Sequence, residues 1–484
     1  MSISSALSSA LSGLAANARA ASVVSANLAN VQTDGYGRRE VVLSQDGISG
    51  RGGVRVSGIT RNVDSGILSD RRLADSELAQ TQTRAQFLKE VQRSIGTPDM
   101  QGSLSARISA LEASLVTAAS RPDAEDRLQQ VSLRASEVST AVNAISNDIQ
   151  SQRMGAEEKI QSAVRGLNAD LEQVYRLNVQ IQSARRAGAD PSGLLDHRQV
   201  VIDRVADMIP VREVPRQDGA VALMTRAGSF LVDSSSAVLD FTRANVIMPH
   251  MTLESGMLSG LSIGGEDVPP SGMRSPISGG RLSAMFEVRD TLAVQSQTQI
   301  DALARDMIER FQDPAWDAAT GIAVTDLFRD AGARPDPMAE VGIAGRMQLN
   351  RAVDVAKGGD ATKLRDGIGS GAPGPAGDAS RLLGLADALS ARAPMVSGNL
   401  GAGAGSSAQH VASMVSQLAQ SALAEDRATS FAAVRQSGLE ERLSEDGVNS
   451  DDEMARLLLI EQSYSANARM IQTLDEMMQT LLRI

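Results

Sequence analysis

No cysteine occurs among the 484 residues of this chain. No disulfide framework can hold it, so packing alone must stabilise it. Only three histidines are present, which leaves little material for a transition-metal site, and no cofactor is expected. Aromatic residues make up 2% of the chain, although small globular cores usually lean on them for buried area. Basic charge is not in excess either: 47 Lys and Arg face 58 Asp and Glu, for a formal net charge of -11. That balance speaks against nucleic acid or an anionic membrane as partner, since both need a basic footprint. An ordinary soluble acidic protein carries the same balance. Apolar runs such as Leu457-Leu458-Leu459-Ile460 fall far below the roughly 20 residues of a membrane helix. The first charge is Arg19, so the start lacks the basic region of a cleaved signal peptide. A soluble protein is expected, and if it leaves the cytoplasm, it does so by a route that leaves its ends intact.

What the chain does have is alanine, serine, leucine, valine and glutamine, a composition suited to long helices packed side by side. Residues 2–31 carry a seam at Ile3, Leu7, Ala10, Leu14, Asn17, Ala21, Val24, Leu28 and Val31, stepping by four and three. The last thirty residues repeat the pattern at Leu457, Ile460, Tyr464, Asn467, Ile471, Leu474, Met478 and Leu481. This is coiled-coil spacing, and each seam must pair with something. The economical partner of each end is the other end, with neighbouring subunits as further partners. Asn17 and Asn467 read equally as buried register-setters or as solvated edge residues.

Between the ends the pattern changes several times. Thr33 to Asp64 is punctuated by glycine, with strand-like runs at Glu40–Leu43 and Val54–Val56. Asp123 to Arg186 holds no proline, and its seam shifts phase between Ile149 and Ile160, which predicts a rod with a stutter or break near Gly155. Asp190-Pro191 reads as the cap and first position of a helix that stops before Pro210. Asp218-Gly219 and Ala227-Gly228 read as turns between short strands. Helix returns after Gly279-Gly280 along Leu282, Phe286, Arg289, Leu292, Gln295, Gln299, Leu303 and Met307. The expected fold is mainly α: long terminal and inner helices in a layered bundle with a smaller inserted β domain. The expected division is 1–32 with 450–484 as a terminal coiled-coil core, and 33–210 with 281–312 and 409–449 as a helical bundle. Residues 211–280 form a small β domain, and 313–408 an irregular Gly/Pro-rich segment grouped with the outer part.

Asn27-Leu28-Ala29-Asn30-Val31-Gln32-Thr33-Asp34-Gly35-Tyr36 resembles the signature shared by flagellar rod, hook and hook-associated proteins, an Asn-x-Ala-Asn pair followed by Thr-x-Gly-Tyr. Physically, Asn30 can close the helix, Gly35 can take a positive φ and Tyr36 can anchor the outgoing chain. Gln462-Ser463-Tyr464-Ser465-Ala466-Asn467-Ala468-Arg469 is similar to the terminal helix of the same family. Gly35-Tyr36-Gly37-Arg38-Arg39, Leu194-Leu195-Asp196-His197-Arg198 and Gly279-Gly280-Arg281-Leu282 are most similar to the hook-associated members. Asp34 stands where proline is frequent, and Gly37 replaces the usual serine.

The resemblance implies a structural subunit at the junction between hook and filament, needed for filament assembly and motility. It implies export through the flagellar type III apparatus, a cytoplasmic export chaperone and an extracellular location without a cleaved signal. The implied partners are a ring of copies of itself, the hook protein and a second junction protein. The alternatives are a hook or rod subunit, a peptidoglycan-acting enzyme and a generic coiled-coil scaffold. No catalytic, cofactor-binding or metal-binding residue is assigned. His197, His250 and His410 read as structural or exposed. The assembly residues are Ile3, Leu7, Leu14, Val24, Asn27, Leu28, Asn30, Gly35 and Tyr36 at one end. At the other, for assembly or chaperone binding, they are Leu457, Ile460, Tyr464, Asn467, Ile471, Leu474, Met478 and Leu481.

Overall fold

The computed structural model describes residues 3–45, 53–272, 275–312, 326–331, 339–400 and 403–482. The side chains of Ile3 and Leu481 lie outside the described residues, as do Gly47, Gly50, Gly52 and much of 313–338. The fold is mainly α with small β parts. No helix among the described residues is long and apolar enough to cross a membrane.

The rod is α4, Glu125–Arg186, a single helix of 62 residues and about 93 Å at 1.5 Å per residue. It does not break at Gly155. Its buried residues step by three and four through Val142 and Ile145, then by four through Ile149, Arg153 and Glu157, before the alternation resumes at Ile160 and Val164. The phase shift in the sequence is therefore a stutter, and charged residues fill it. α2 (Ser65–Ile95) and α3 (Leu104–Ala119) pack beside the rod. Asp64 starts α2 by accepting from the backbone N–H groups of Gly66 (2.7 Å) and Ile67 (3.0 Å).

Two apolar cores lie along α4. One joins its first half to α2, α3 and the returning helices through residues such as Leu111, Val138, Leu303 and Val411. The other joins its second half to α5 (Ser192–Met208) and the β segments through Leu171, Val205, Leu223 and Phe286. Strands β3 (Val211–Pro215), β4 (Val221–Thr225) and β5 (Phe230–Val232) form one antiparallel sheet. Its first turn is made by Asp218 and Gly219, at φ +54° and +79°. A second sheet spans residues 239–268. α5 starts one residue later than expected, at Ser192. Asp190 still accepts from its backbone N–H (3.0 Å), and Pro191 precedes the helix.

Between the two cores sits a buried ionic cluster. Arg289 donates to Glu157 Oε2 (2.6 Å) and to both oxygens of Asp290 (2.8 and 2.8 Å). Arg153 donates to the carbonyls of Arg289 (3.0 Å) and Met251 (2.6 Å). Glu157 Oε1 accepts from the N–H of Ala244 (2.7 Å). The chain carries Arg289 on a π-turn, 288–292, between α6 (Arg281–Glu287) and α7 (Ala293–Arg310). That extra residue in the turn rotates α7, so Gln297 and Ile300 face inward and the expected Gln295 does not.

The segment read as irregular is partly built into the first core. A helix α8 (Ser380–Ser390) buries Leu382, Leu385 and Leu389, and Phe328, Met347 and Leu349 join them. Buried Asp301 of α7 accepts from the N–H groups of Gly342 (2.7 Å) and Ala344 (2.9 Å) and from Gln297 (2.9 Å), fixing residues 342–344 on the bundle. Burial raises its pKa to about 6. The returning helix α9 (Ser407–Glu445) opens on a capping box between Ser406 and Gln409 and packs along α2.

Candidate assembly interface of the joined termini

α1 (Ile3–Ala29) and the last helix, α10 (Ser450–Leu482), pair with each other. Gly13 lies against Asn467, and Asn27 bonds Glu453. The two pairs stand fourteen positions apart on each helix but in opposite directions, so the pairing is antiparallel and in constant register. Acidic residues fill the first turn of α10, and Asn449 accepts from the Asp451 N–H (2.9 Å) to start it. The hairpin of β1 (Arg38–Gln45) and β2 (Val54–Asn62) lies along α1, with the Val54 N–H on Ser12 Oγ at 3.1 Å.

Seam positions fall unevenly within this pair. On α1, Val24 and Asn27 are buried, Leu7, Leu14, Leu28 and Asn30 are half-buried, and Val31 is exposed. Ala16 and Val23, outside the seam, are buried too, because the hairpin covers a second side of the helix. On α10, Leu457, Ile460, Asn467, Ile471 and Leu474 are half-buried, whereas Tyr464 and Met478 are exposed. Leu458 and Leu459 are 58% and 62% exposed, and Met454, Met470 and Met477 are open as well. The helix is thus apolar on more sides than α1 covers.

At the base of the pair, the Asn-to-Tyr motif becomes a closed network around Asn27. Its Nδ2 donates to the Arg39 carbonyl (2.9 Å) and to Glu453 Oε2 (3.1 Å). Its Oδ1 accepts from Tyr36 Oη (2.9 Å) and the Arg39 N–H (3.0 Å). All four hydrogen-bonding positions of this fully buried amide are filled. Glu453, equally buried, takes Arg38 Nε on its other oxygen at 2.8 Å. Burial pushes the Tyr36 phenol above its usual range. Nearby, a hydrogen bond from Arg456 holds the Glu40 carboxyl below its own. Asn30 closes α1 by donating from Nδ2 to the Ala26 carbonyl (2.8 Å).

One residue of α5 ties this joint to the body. Asp196 Oδ1 accepts from the Gly37 N–H (3.0 Å) and Arg61 Nε (2.6 Å), and its Oδ2 accepts from Arg39 Nη2 (2.6 Å). The Arg39 guanidinium also lies 4.7 Å from the Tyr36 ring centroid. Gly35 has φ +74°, and a Cβ there would stand 2.5 Å from Val200 Cγ2 of α5. At Gly37 a Cβ would stand 2.5 Å from Arg61 Nε, which accounts for the missing serine. Arg38, Arg39, Arg61, Asp196 and Glu453 escaped sequence reasoning as site residues. The available signal was the Arg38-Arg39 pair directly after a glycine turn, which needs carboxylate acceptors from elsewhere in the chain.

The histidines stand apart from this joint. His197 is exposed beside Gln173 (2.9 Å), His250 is exposed, and buried His410 reaches the Ala393 and Gly405 carbonyls through Nε2 (3.0 and 2.9 Å). Among the described residues no group of three or more His, Cys, Asp or Glu could hold a metal ion.

Comparison with known proteins follows the same layout. Residues 88–315 match the model for the flagellar hook-associated protein FlgK helical domain. Residues 7–36 match the flagella basal body rod protein model, and 440–484 the flagellar basal body rod FlgEFG protein C-terminal model. The flagellar hook-associated protein 1 of Bacillus subtilis is 22% identical over 98% of this chain and 97% of its own length. That of Salmonella typhimurium is 28% identical over 54% of this chain and 51% of its own length, so the match spans about half of that relative. The solved flagellar hook junction protein FlgK from Burkholderia pseudomallei aligns with TM-score 0.42 at 18% identity, covering 50% of this chain and 43% of that one. Matched at both ends and through its long helical middle, the chain belongs to the family of flagellar hook-associated proteins.

Proposed function

We propose that this chain is a structural subunit of the bacterial flagellum that joins hook to filament and carries no catalytic centre. The observation behind this reading is the surplus apolar surface of α10. Leu458, Leu459, Met470 and Met477 remain open after α1 has paired, and an exposed apolar row of this kind marks a protein contact. Copies of the same chain in a ring, the hook protein and a second junction protein would cover it in the flagellum, outside the cell. A cytoplasmic export chaperone would cover the α10 seam beforehand by helix-in-groove contact, and the chain would leave through the type III apparatus without a cleaved signal. In this reading residues 1–32 with 450–484 form the inner core, and residues 33–210 with 281–312 and 409–449 the surrounding helical shell. The β domain of 211–280 lies outermost.

A hook or rod subunit is the second reading, favoured by the rod-type matches at both ends. A deletion strain viewed by electron microscopy separates the two. The junction reading expects complete hooks without filaments. Loss of the hook itself, or purified chain that forms long tubes alone, would support the hook or rod reading.

A further inference from the structure

Buried charge in this chain is generally matched, and Arg198 of α5 is an exception. Its Nη1 donates to Asn178 Oδ1 (2.9 Å) and to the Gly219 carbonyl (2.8 Å). Its Nε and Nη2 have no hydrogen-bond partner, and no carboxylate lies within ion-pair distance, among the described residues. The residue is 8% exposed, and it lines a cavity of about 380 Å³ beside the first turn of α2. Two more arginines reach the same cavity, but each has its counter-charge. Arg61 pairs with Asp196 at 2.6 Å, and Arg72 pairs with Asp203 at 2.6 Å and with Glu213. Arg198 alone of the three has no carboxylate within ion-pair distance, because Glu213, whose charge favours its cationic form, is held by Arg72.

We propose that this cavity is a binding site for a carboxylate, received on the open Nε–Nη2 edge of Arg198. That edge offers two parallel N–H donors at the spacing of carboxylate oxygens. Ser65 and Ser69 supply hydroxyls on the rim, and Leu68, Leu195 and Val211 supply apolar wall for a short aliphatic stem. Glu213 already stands at the cavity and would repel a doubly charged group, which favours a monoanionic carboxylate over phosphate. Burial, opposed by Glu213 and aided by Arg61, Arg185 and Arg72, lowers the Arg198 pKa to about 10, so it is a full cation at neutral pH. The carboxylate can come from an acidic side chain of a second copy of this chain or from a free organic acid.

The test uses the full chain and butyrate, a monoanion that imitates a glutamate side chain. Butyrate is expected to raise the melting temperature saturably, beyond sodium chloride at matched ionic strength. Arg198→Gln should abolish the shift. So should Ser69→Leu, which narrows the cavity and leaves Arg198 in place, so the test survives if the first variant folds poorly. Analytical ultracentrifugation then identifies the source. Self-association weakened by butyrate assigns the carboxylate to a second copy, and unaffected self-association assigns it to a free acid. A shift equal to that of sodium chloride, or one retained in Ser69→Leu, overturns the site.

Discussion

Gly13 of α1 and Asn467 of α10 stand face to face, and a Cβ on Gly13 would lie 2.8 Å from Asn467 Nδ2. Glycine in a helix interior costs about 1 kcal/mol relative to alanine, and here it permits the close approach of the two terminal helices. Gly13→Leu is expected to push them apart, costing about 1–3 kcal/mol as overpacking. Hydrogen exchange should show faster amide exchange in both α1 and α10 while the rate in α4 is unchanged. Protection equal to wild type in both terminal helices would refute the close packing.

Asn27 offers a sharper test, because its replacement strands several partners at once. Asn27→Ala leaves the Tyr36 hydroxyl, the Arg39 backbone and one oxygen of Glu453 without their bonds. Each unsatisfied buried group costs about 1–3 kcal/mol, so the terminal pair should open while the body stays folded. Asn27→Asp keeps the size but sets two carboxylates together, and should do no better. Limited proteolysis reads the result: cleavage within α10 should accelerate in both variants.

Asp301 makes part of the stability depend on pH. Its folded pKa of about 6 lies above the ordinary 3.8, so the native state holds this proton more tightly than the unfolded chain does. The stabilisation is complete below about pH 4 and is lost as pH rises through 6. Two units correspond to roughly 3 kcal/mol. Carboxyl carbon NMR of Asp301 should titrate near pH 6, and a midpoint near 4 would contradict the burial argument.

Glu157 tests the ionic cluster in the rod. Glu157→Ala removes one of two carboxylates facing Arg153 and Arg289, leaving buried positive charge. A loss of about 3–5 kcal/mol is expected in urea unfolding followed by circular dichroism. Glu157→Gln keeps the volume and one acceptor for Arg289, and should recover part of it. A loss under about 1 kcal/mol for the alanine variant would mean that the cluster is hydrated and contributes little.

The long helices were legible because their burial repeats every three or four residues, and α4 follows that period for nearly its whole length. Reading stopped where inward positions are charged. Arg153 and Glu157 interrupt the apolar seam, so a continuous helix resembled a break. The π-turn at 288–292 was invisible because one extra residue in a turn changes phase without changing composition. α8 was hidden by glycine- and proline-rich flanks around only eleven residues. In the site, Asn27, Asn30, Gly35 and Tyr36 stood out as a local motif. Their partners Asp196 and Glu453 lie far along the chain, and only the folded topology brings them together.

The bond between Asn27 and Glu453 spans 426 positions of sequence. A ribosome delivers the first residue of that bond long before the second. The joint therefore cannot close on an unfinished chain, and a product truncated upstream of Glu453 keeps an open latch. Pairing of the two terminal helices is therefore a late step of folding, open only to a chain that reaches Glu453.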